Sequence, residues 1–221
     1  MYRLLTLLGG SASIALMGAL LFLLAGTTGL PWVWVYLAVR LAFTVGAVLA
    51  MSEAVARERL KPGPRAKPEP LYNALTGVSW VAFLILAPLD LGSFHWSAGF
   101  PLWLQAASAV LLGVGYALVL WALRHNAYMS ARIRIQGERG HHVVDTGPYA
   151  LLRHPNYAGA LLQSLTSGLL LGSWVGALAL LLHCVALIYR TLNEEKVLLA
   201  ELEGYADYTR RVPWRFIPGV W

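Results

Sequence analysis

The sequence predicts an all-α, polytopic helical membrane protein. Three observations carry that prediction. Of the 221 residues, 58% are hydrophobic and only 13% are charged, whereas a soluble domain carries about 25% charge. Mean hydropathy is +0.60. The apolar residues also fall into stretches of about 20, the length a helix needs to cross the hydrocarbon of a bilayer.

The stretches follow in order. The first runs from Leu4 to Ala25. Its apolar core is too long for a secretory signal, its basic n-region is Arg3 alone, and no cleavage site follows, so it reads as a retained span. The second, Trp32 to Met51, is opened by Pro31, a residue suited to a helix start. The third is Leu71 to Leu89 and the fourth Leu102 to Leu123. Tyr157–Leu171 and Trp174–Leu192 are separated only by Gly172 and Ser173, which predicts a tight helical hairpin and about six membrane segments in all. Lys61–Pro70 (KPGPRAKPEP) is an extended, proline-rich linker. The stretch from Glu194 to Val212 reads as an amphipathic helix leaving the membrane, with Val197, Leu198 and Leu202 as its apolar side. Gly204 marks a break in it and Pro213 ends it.

The net charge of +6 has a membrane origin. Arg57, Arg59, Lys61, Arg65 and Lys67 follow the second span; Arg124, Arg132, Arg134, Arg139 and Arg153 follow the fourth. Lys196, Arg210, Arg211 and Arg215 lie in the C-terminal segment. The connections on the other side, Gly26–Leu30, Leu91–Gly99 and Gly172–Ser173, carry no Lys or Arg. The positive-inside rule then places both termini and both long loops in the cytoplasm, and the composition and short loops suggest a prokaryotic inner membrane. No basic run is interleaved with base-stacking aromatics in a soluble segment, which argues against nucleic acid as a partner. The only cysteine, Cys184, excludes an internal disulfide and a cysteine-rich zinc site.

Several polar residues need an explanation in such a chain. Arg40 sits mid-span, where a charge costs about 2.5–3.5 kcal/mol on insertion scales. It pairs with a structural partner or faces a substrate pocket. His183, Arg190 and Glu194 are spaced by seven and four residues, on one helical face. Either they line a site, or Arg190 and Glu194 form an i,i+4 ion pair and His183 bonds between helices. The densest cluster is HHVVDTGPYALLRHPNY, His141–Tyr157. Its histidines lack the spacing of a zinc site, so no metal is expected. Gly147-Pro148 and His154-Pro155 mark rigid turns whose freed backbone groups can grip a polar ligand, or simply stiffen a re-entrant loop.

This cluster, the apolar hairpin, and RTLNEEKVLLAELEGYADYTRRVPWRFIP from Arg190 to Pro218 together resemble the isoprenylcysteine carboxyl methyltransferase family, part of a wider group with the phospholipid methyltransferases. The resemblance covers the C-terminal third, His141–Pro218. It implies S-adenosylmethionine as cofactor, bound without a Rossmann domain, and no G-x-G-x-x-G loop is present. By motif position it implies His141, Val143, Val144 and Tyr149 as one cofactor-contacting segment and His154, Pro155, Asn156 and Tyr157 as another. Glu194 resembles the carboxylate that grips the cofactor, and Arg190 the arginine that positions the acceptor. Arg40, His183 and Arg211 remain candidates for the substrate pocket. The organisation expected is a scaffold over 1–140 and a cofactor-binding region over 141–221, integrated in one domain.

A carboxylate acceptor is already ionised and needs no strong base, so alignment and exclusion of water suffice. A phenol or amine acceptor would need a base, for which His154 or His142 is available. The apolar spans suggest a lipophilic small molecule or lipidated acceptor entering from the bilayer. Two other readings stand beside this one. RHPNY followed by a late acidic residue also resembles the NADPH-dependent sterol reductases, although Gly159 is followed here by Ala160 rather than an acidic residue. A non-enzymatic membrane scaffold or transporter would bind neither cofactor.

Overall fold

In hydrocarbon no backbone N–H or C=O can be left to water, so long apolar stretches resolve into helices that satisfy themselves. The computed structural model of the chain describes residues 1–63 and 66–221; Pro64 and Arg65, within the proline-rich stretch and the first basic loop, lie outside the described residues. Its helices are α1 (Tyr2–Ala25), α2 (Pro31–Ala50), α3 (Glu53–Leu60), α4 (Pro70–Leu89), α5 (Leu102–His125), α6 (Pro155–Leu171), α7 (Trp174–Glu201) and α8 (Tyr205–Arg211). Among the described residues, five segments are long and apolar enough to cross a membrane by length and composition: α1, α2, Pro70–Phe94, α5 and α7. The sixth apolar stretch forms α6, only 17 residues long, packed between α5 and α7. The fold is that of an integral, polytopic helical membrane protein.

Two elements differ from the sequence expectation. The basic connection after α2 contains α3, a two-turn helix capped by Ser52, whose hydroxyl accepts the Val55 N–H at 3.2 Å. Its composition reads as loop because one polar face and two buried residues, Val55 and Ala56, give too short a period to detect. The helix expected to leave the membrane at Glu194 is instead the unbroken continuation of α7 to Glu201. Gly204, in the left-handed region at φ 78°, then makes the break before α8.

Close helix contact rests on glycine. A Cβ on Gly159 of α6 would lie 2.5 Å from the carbonyl oxygen of Gly115 on α5, and one on Gly168 would lie 2.1 Å from the amide of Ala177 on α7. The α6–α7 turn closes on Gly172 (φ 85°), with Ser173 capping α7 by accepting the Gly176 N–H at 2.9 Å.

The two ends of the bundle have opposite characters. At one end Asp90 is 1% exposed. It follows Pro88, which cannot donate to the α4 ladder and leads into a π-turn over Asp90–Phe94. Its carboxylate accepts Ser97 N–H (2.8 Å), Ser97 Oγ–H (2.6 Å) and Ser173 Oγ–H (2.5 Å), joining the α4–α5 connection to the α6–α7 turn. The other end gathers the N-terminus, whose ammonium lies 2.9 Å from Glu53, with α3, the long 126–154 connection and the C-terminal tail. There Glu58 of α3 accepts Arg134 Nε–H at 2.8 Å and Ser130 Oγ–H at 2.9 Å.

The α5–α6 contact is directly testable. Gly159→Val should cost about 3 kcal/mol through overpacking and lower the thermal unfolding midpoint in detergent. Gly113→Ala, with nothing within 4 Å of the added Cβ, should leave that midpoint unchanged or slightly raised.

Candidate active site

The basic end encloses a cavity of about 370 Å³ between the 126–154 connection, the N-termini of α4 and α6, the last turns of α7 and α8. That is within the roughly 300–1,000 Å³ of ligand pockets. It is assembled around one carboxylate. Glu195 on α7 is 4% exposed. Its Oε1 lies 3.0 Å from Arg153 Nη1 and 3.3 Å from His154 Nε2, and its Oε2 accepts Arg215 Nε–H at 2.7 Å. An ionised carboxylate only accepts, so His154 donates from Nε2. The tail is sealed onto the same loop by backbone bonds, Arg153 N–H to Trp214 C=O (2.9 Å) and His154 N–H to Arg215 C=O (3.1 Å). Tyr208 of α8 closes the other flank by donating to the Tyr149 carbonyl at 2.7 Å.

The neighbouring carboxylate is treated differently. One residue along a helix turns the side chain by about 100°, so Glu194 faces the cavity while Glu195 faces the tail. Among the described residues, the buried Oε2 of Glu194 finds no hydrogen-bond partner, and neither does the buried hydroxyl of Tyr205 on the lining of the same cavity. A buried polar atom left unpaired costs about 1–3 kcal/mol, so this pair, one acceptor and one hydroxyl, marks a place where a polar ligand restores what folding removed. A molecule bearing amino, carboxylate and ribose hydroxyl groups, such as S-adenosylmethionine, fits that requirement.

Of the residues implied by sequence motif, His141, Val143, Val144, Tyr149, His154, Asn156, Tyr157, Arg190 and Glu194 all line the cavity. Pro155 begins α6 and turns the chain into it. Val197, Leu198 and Leu202 line the cavity too. His141 stacks on Tyr128 with ring centroids 4.3 Å apart, and its Nδ1 accepts the Gln136 N–H at 3.2 Å. The ring proton is therefore on Nε2. Burial, then the positive potential of His142, Arg139 and Arg134, pushes His141 down from 6.5 to about 4.

Arg190 is 7% exposed. Its Nε–H goes to the Tyr157 hydroxyl (2.9 Å), its Nη2–H to the Ala131 carbonyl (2.8 Å), and its ion-pair partner is Glu69 at 3.4 Å rather than Glu194. Tyr72 stacks under the guanidinium, 4.5 Å from centroid to Cζ. The other three candidates lie outside the cavity walls. Arg40 donates to the Tyr36 hydroxyl at 3.1 Å and lies 5.4 Å from the Trp80 ring. His183 is bonded to Ser164 Oγ at 2.8 Å, a helix–helix bond between α7 and α6. Arg211 pairs with Asp145 at 3.0 Å on the surface.

Sequence reasoning missed Glu69, Tyr72, Asn126, Tyr128 and Tyr205. Glu69 lies in the linker and Tyr72 in the first turn of α4, far from any motif. Asn126 and Tyr128 directly follow the basic end of α5, and a polar pair there was the available signal. Asn126 donates to the Tyr149 hydroxyl at 3.1 Å.

The depressed His141 value has a consequence for stability. Between pH 6.5 and about 4 the unfolded chain takes up a proton that the folded imidazole refuses. Folding stability should therefore fall as pH drops through that window and level off below it. His141→Gln should flatten this part of a plot of unfolding midpoint against pH; an identical slope in the variant would show that other groups set it.

Comparison with known proteins bears on the family and the fold. The sequence profile of the Isoprenylcysteine carboxyl methyltransferase (ICMT) family matches residues 104–200. The chain is similar to the cobalt-zinc-cadmium resistance protein CzcN of Cupriavidus metallidurans, with 32% identity over 60% of this chain and 58% of that protein. It is similar to the nickel-cobalt-cadmium resistance protein NccN of Alcaligenes xylosoxydans xylosoxydans, with 31% identity over 67% of this chain and 68% of that protein. Protein-S-isoprenylcysteine O-methyltransferase B of Arabidopsis thaliana is 30% identical over 37% of this chain and 42% of its own length. The chain thus spans from about two fifths to two thirds of the length of these curated relatives. The solved structure of a eukaryotic intramembrane Ras methyltransferase ICMT superposes on 95% of this chain and 75% of its own at a TM-score of 0.60 and 20% identity, which establishes the shared fold. On this fold and these sequence matches, the chain belongs to the isoprenylcysteine carboxyl methyltransferase family.

Proposed function

We propose that the chain is an integral membrane methyltransferase that uses S-adenosylmethionine to methylate a lipophilic acceptor at the basic end of the bundle. That end faces the cytoplasm of a prokaryotic inner membrane in this reading, with both termini on that side, because Lys and Arg concentrate there. The observation that carries the proposal is the unpaired Glu194 Oε2 in a cavity walled by the very residues the family motif names.

Bound there, the cofactor supplies a methyl group on a sulfonium, an electrophile that needs no metal or covalent enzyme intermediate. The protein's part is holding and shielding. Glu194 would take the amino or ribose hydroxyl donors of the cofactor, and the Tyr205 hydroxyl a second polar group. The neutral His141, stacked on Tyr128, offers an Nε2 donor from the facing loop. Val143, Val144, Val197, Leu198 and Leu202 supply apolar wall, which excludes water from the reacting centre. Arg190, fixed by Tyr157, Tyr72, Ala131 and Glu69, holds the acceptor in line. Alignment of this kind accounts for a large share of catalysis when no proton has to move.

A direct test is calorimetric titration of purified protein with S-adenosylhomocysteine and with NADPH. The proposal requires saturable S-adenosylhomocysteine binding, weakened about tenfold or more by Glu194→Gln. Saturable NADPH binding without an S-adenosylhomocysteine signal would instead favour the reductase reading. Arg190→Ala should reduce transfer of label from methyl-tritiated S-adenosylmethionine into an organic extract of membranes by roughly a hundredfold, with little change in S-adenosylhomocysteine affinity. Equal losses in both would remove Arg190 from the acceptor.

A further inference from the structure

The bundle carries its own depth scale. At the Asp90 end, Trp96, Trp103 and Trp174 are exposed, with Trp96 stacked on Phe94 and Trp174 packed against Phe100. Exposed tryptophans at the ends of apolar helices settle at the membrane–water boundary, which puts the α6–α7 turn there. From that turn α6 runs for 17 residues, about 26 Å, against a hydrocarbon thickness of about 30 Å. Along α7 the rise from Trp174 to Glu195 is about 32 Å, and a tilt of about 20° shortens both helices further. Two helices thus give one level. The Glu195 clamp, and the segments it joins, lie at the opposite boundary of the bilayer rather than out in water.

Those segments expose apolar side chains. Leu151 is 57% exposed, Ile217 56% and Val220 71%. Leu151 stands two residues before Arg153, whose N–H is bonded to the Trp214 carbonyl, and Ile217 two residues after Arg215, whose carbonyl accepts the His154 N–H. The tail is a closed turn and not a loose end. Arg215 and Phe216 donate their N–H groups to the Trp221 carbonyl at 2.9 and 3.0 Å. Phe216 is buried, and the Trp221 ring packs edge-on against it with centroids 5.1 Å apart. The turn therefore holds Ile217 and Val220 outward in a fixed place. Its neighbour α8 is different in kind, exposing Asp207, Arg210 and Arg211. Apolar side chains beside a charged helix, at the depth of the headgroups, make the pattern of an interfacial segment.

We infer that the turn over residues 214–221, together with Leu151, is an interfacial anchor. Leu151, Ile217 and Val220 sit at the boundary between headgroups and acyl chains in the leaflet at the basic end, and the charged face of α8 marks the water side. The partner is the lipid surface itself. This holds whatever reaction the cavity carries out. Its consequence is mechanical. The anchored turn carries Arg215, one of the cations on Glu195, and its carbonyls hold Arg153 and His154. Lipid contact on the outside of the turn adds to the forces that keep the tail closed over the loop that opens α6.

Power-saturation EPR in nanodiscs of phosphatidylcholine and phosphatidylglycerol tests the placement. Nitroxides go on Leu151→Cys, Ile217→Cys and Val220→Cys, each in a Cys184→Ala background. Val185→Cys, exposed in mid-span on α7, and Glu203→Cys, exposed beyond its end, are the lipid and water references. The ratio of oxygen to nickel–EDDA collisions at 151, 217 and 220 should stand several-fold above that at 203 and below that at 185. A ratio equal to that at 203 would place the turn in water and overturn the inference. Low collision with both reagents would also overturn it, since that is the mark of burial against protein. In the same nanodiscs, Ile217→Asp combined with Val220→Asp should speed amide exchange at Arg153 and His154 about tenfold. A turn facing water would be indifferent to these two surface substitutions, so unchanged exchange would refute the mechanical link.

Discussion

The site depends on the Glu195 carboxylate. It neutralises Arg153 and Arg215, orients His154, and by doing so clamps the C-terminal tail onto the loop that opens α6. These groups come from three stretches of chain that share no local hydrogen-bonding pattern. Without a common anion, a buried cation at Arg153, whose side chain is 9% exposed, would face a desolvation cost of several kcal/mol. The paired backbone bonds to Trp214 and Arg215 then follow, because the carboxylate has already brought the two segments into register. On the far wall Tyr208 adds a further tie to the same connection by donating to the Tyr149 carbonyl.

The same helix provides the cavity-facing group because a single residue step rotates the side chain by about 100°. Glu195 is consumed by structure and Glu194 is spared, so two adjacent carboxylates acquire different work from helix geometry alone. Arg190, one turn earlier, is consumed in part: three protein groups and a stacked ring fix its plane. The result is a pocket whose acidic and basic ends are set by which charges the fold has already paired. At the other end of the bundle, Asp90 performs a task like that of Glu195, joining the α4–α5 connection to the α6–α7 turn.

The helices were legible in the sequence because lipid demands uninterrupted apolar length, and the observed α1, α2, α4 and α5 begin within two residues of the expected starts. The hairpin was legible through Gly172-Ser173. Most of the site was legible through one contiguous motif, His141–Tyr157, and through the i,i+4 spacing of Arg190 and Glu194. What was not legible came from pairings between distant segments. Glu195 looked equivalent to Glu194 until the tail supplied Arg215. Glu69 and Tyr72 belong to the α4 entry and meet Arg190 only in three dimensions. α3 was hidden because its eight residues bury so little apolar surface that their character comes from the Glu58–Arg134 contact. Arg40 and His183, prominent as polar residues in apolar spans, turned out to face Tyr36, Trp80 and Ser164 rather than the cavity.

Of two neighbouring carboxylates, Glu195 carries the structural pairing and Glu194 does not. Equilibrium unfolding of ligand-free Glu195→Gln and Glu194→Gln in the same detergent measures this difference most directly. Removing the Glu195 charge should leave Arg153 and Arg215 uncompensated and cost about 3–5 kcal/mol. Neutralising Glu194 removes the charge from a buried oxygen that has no partner among the described residues and should leave stability equal to or above that of the unmodified chain. The reverse order, or equal losses in both variants, would contradict the account.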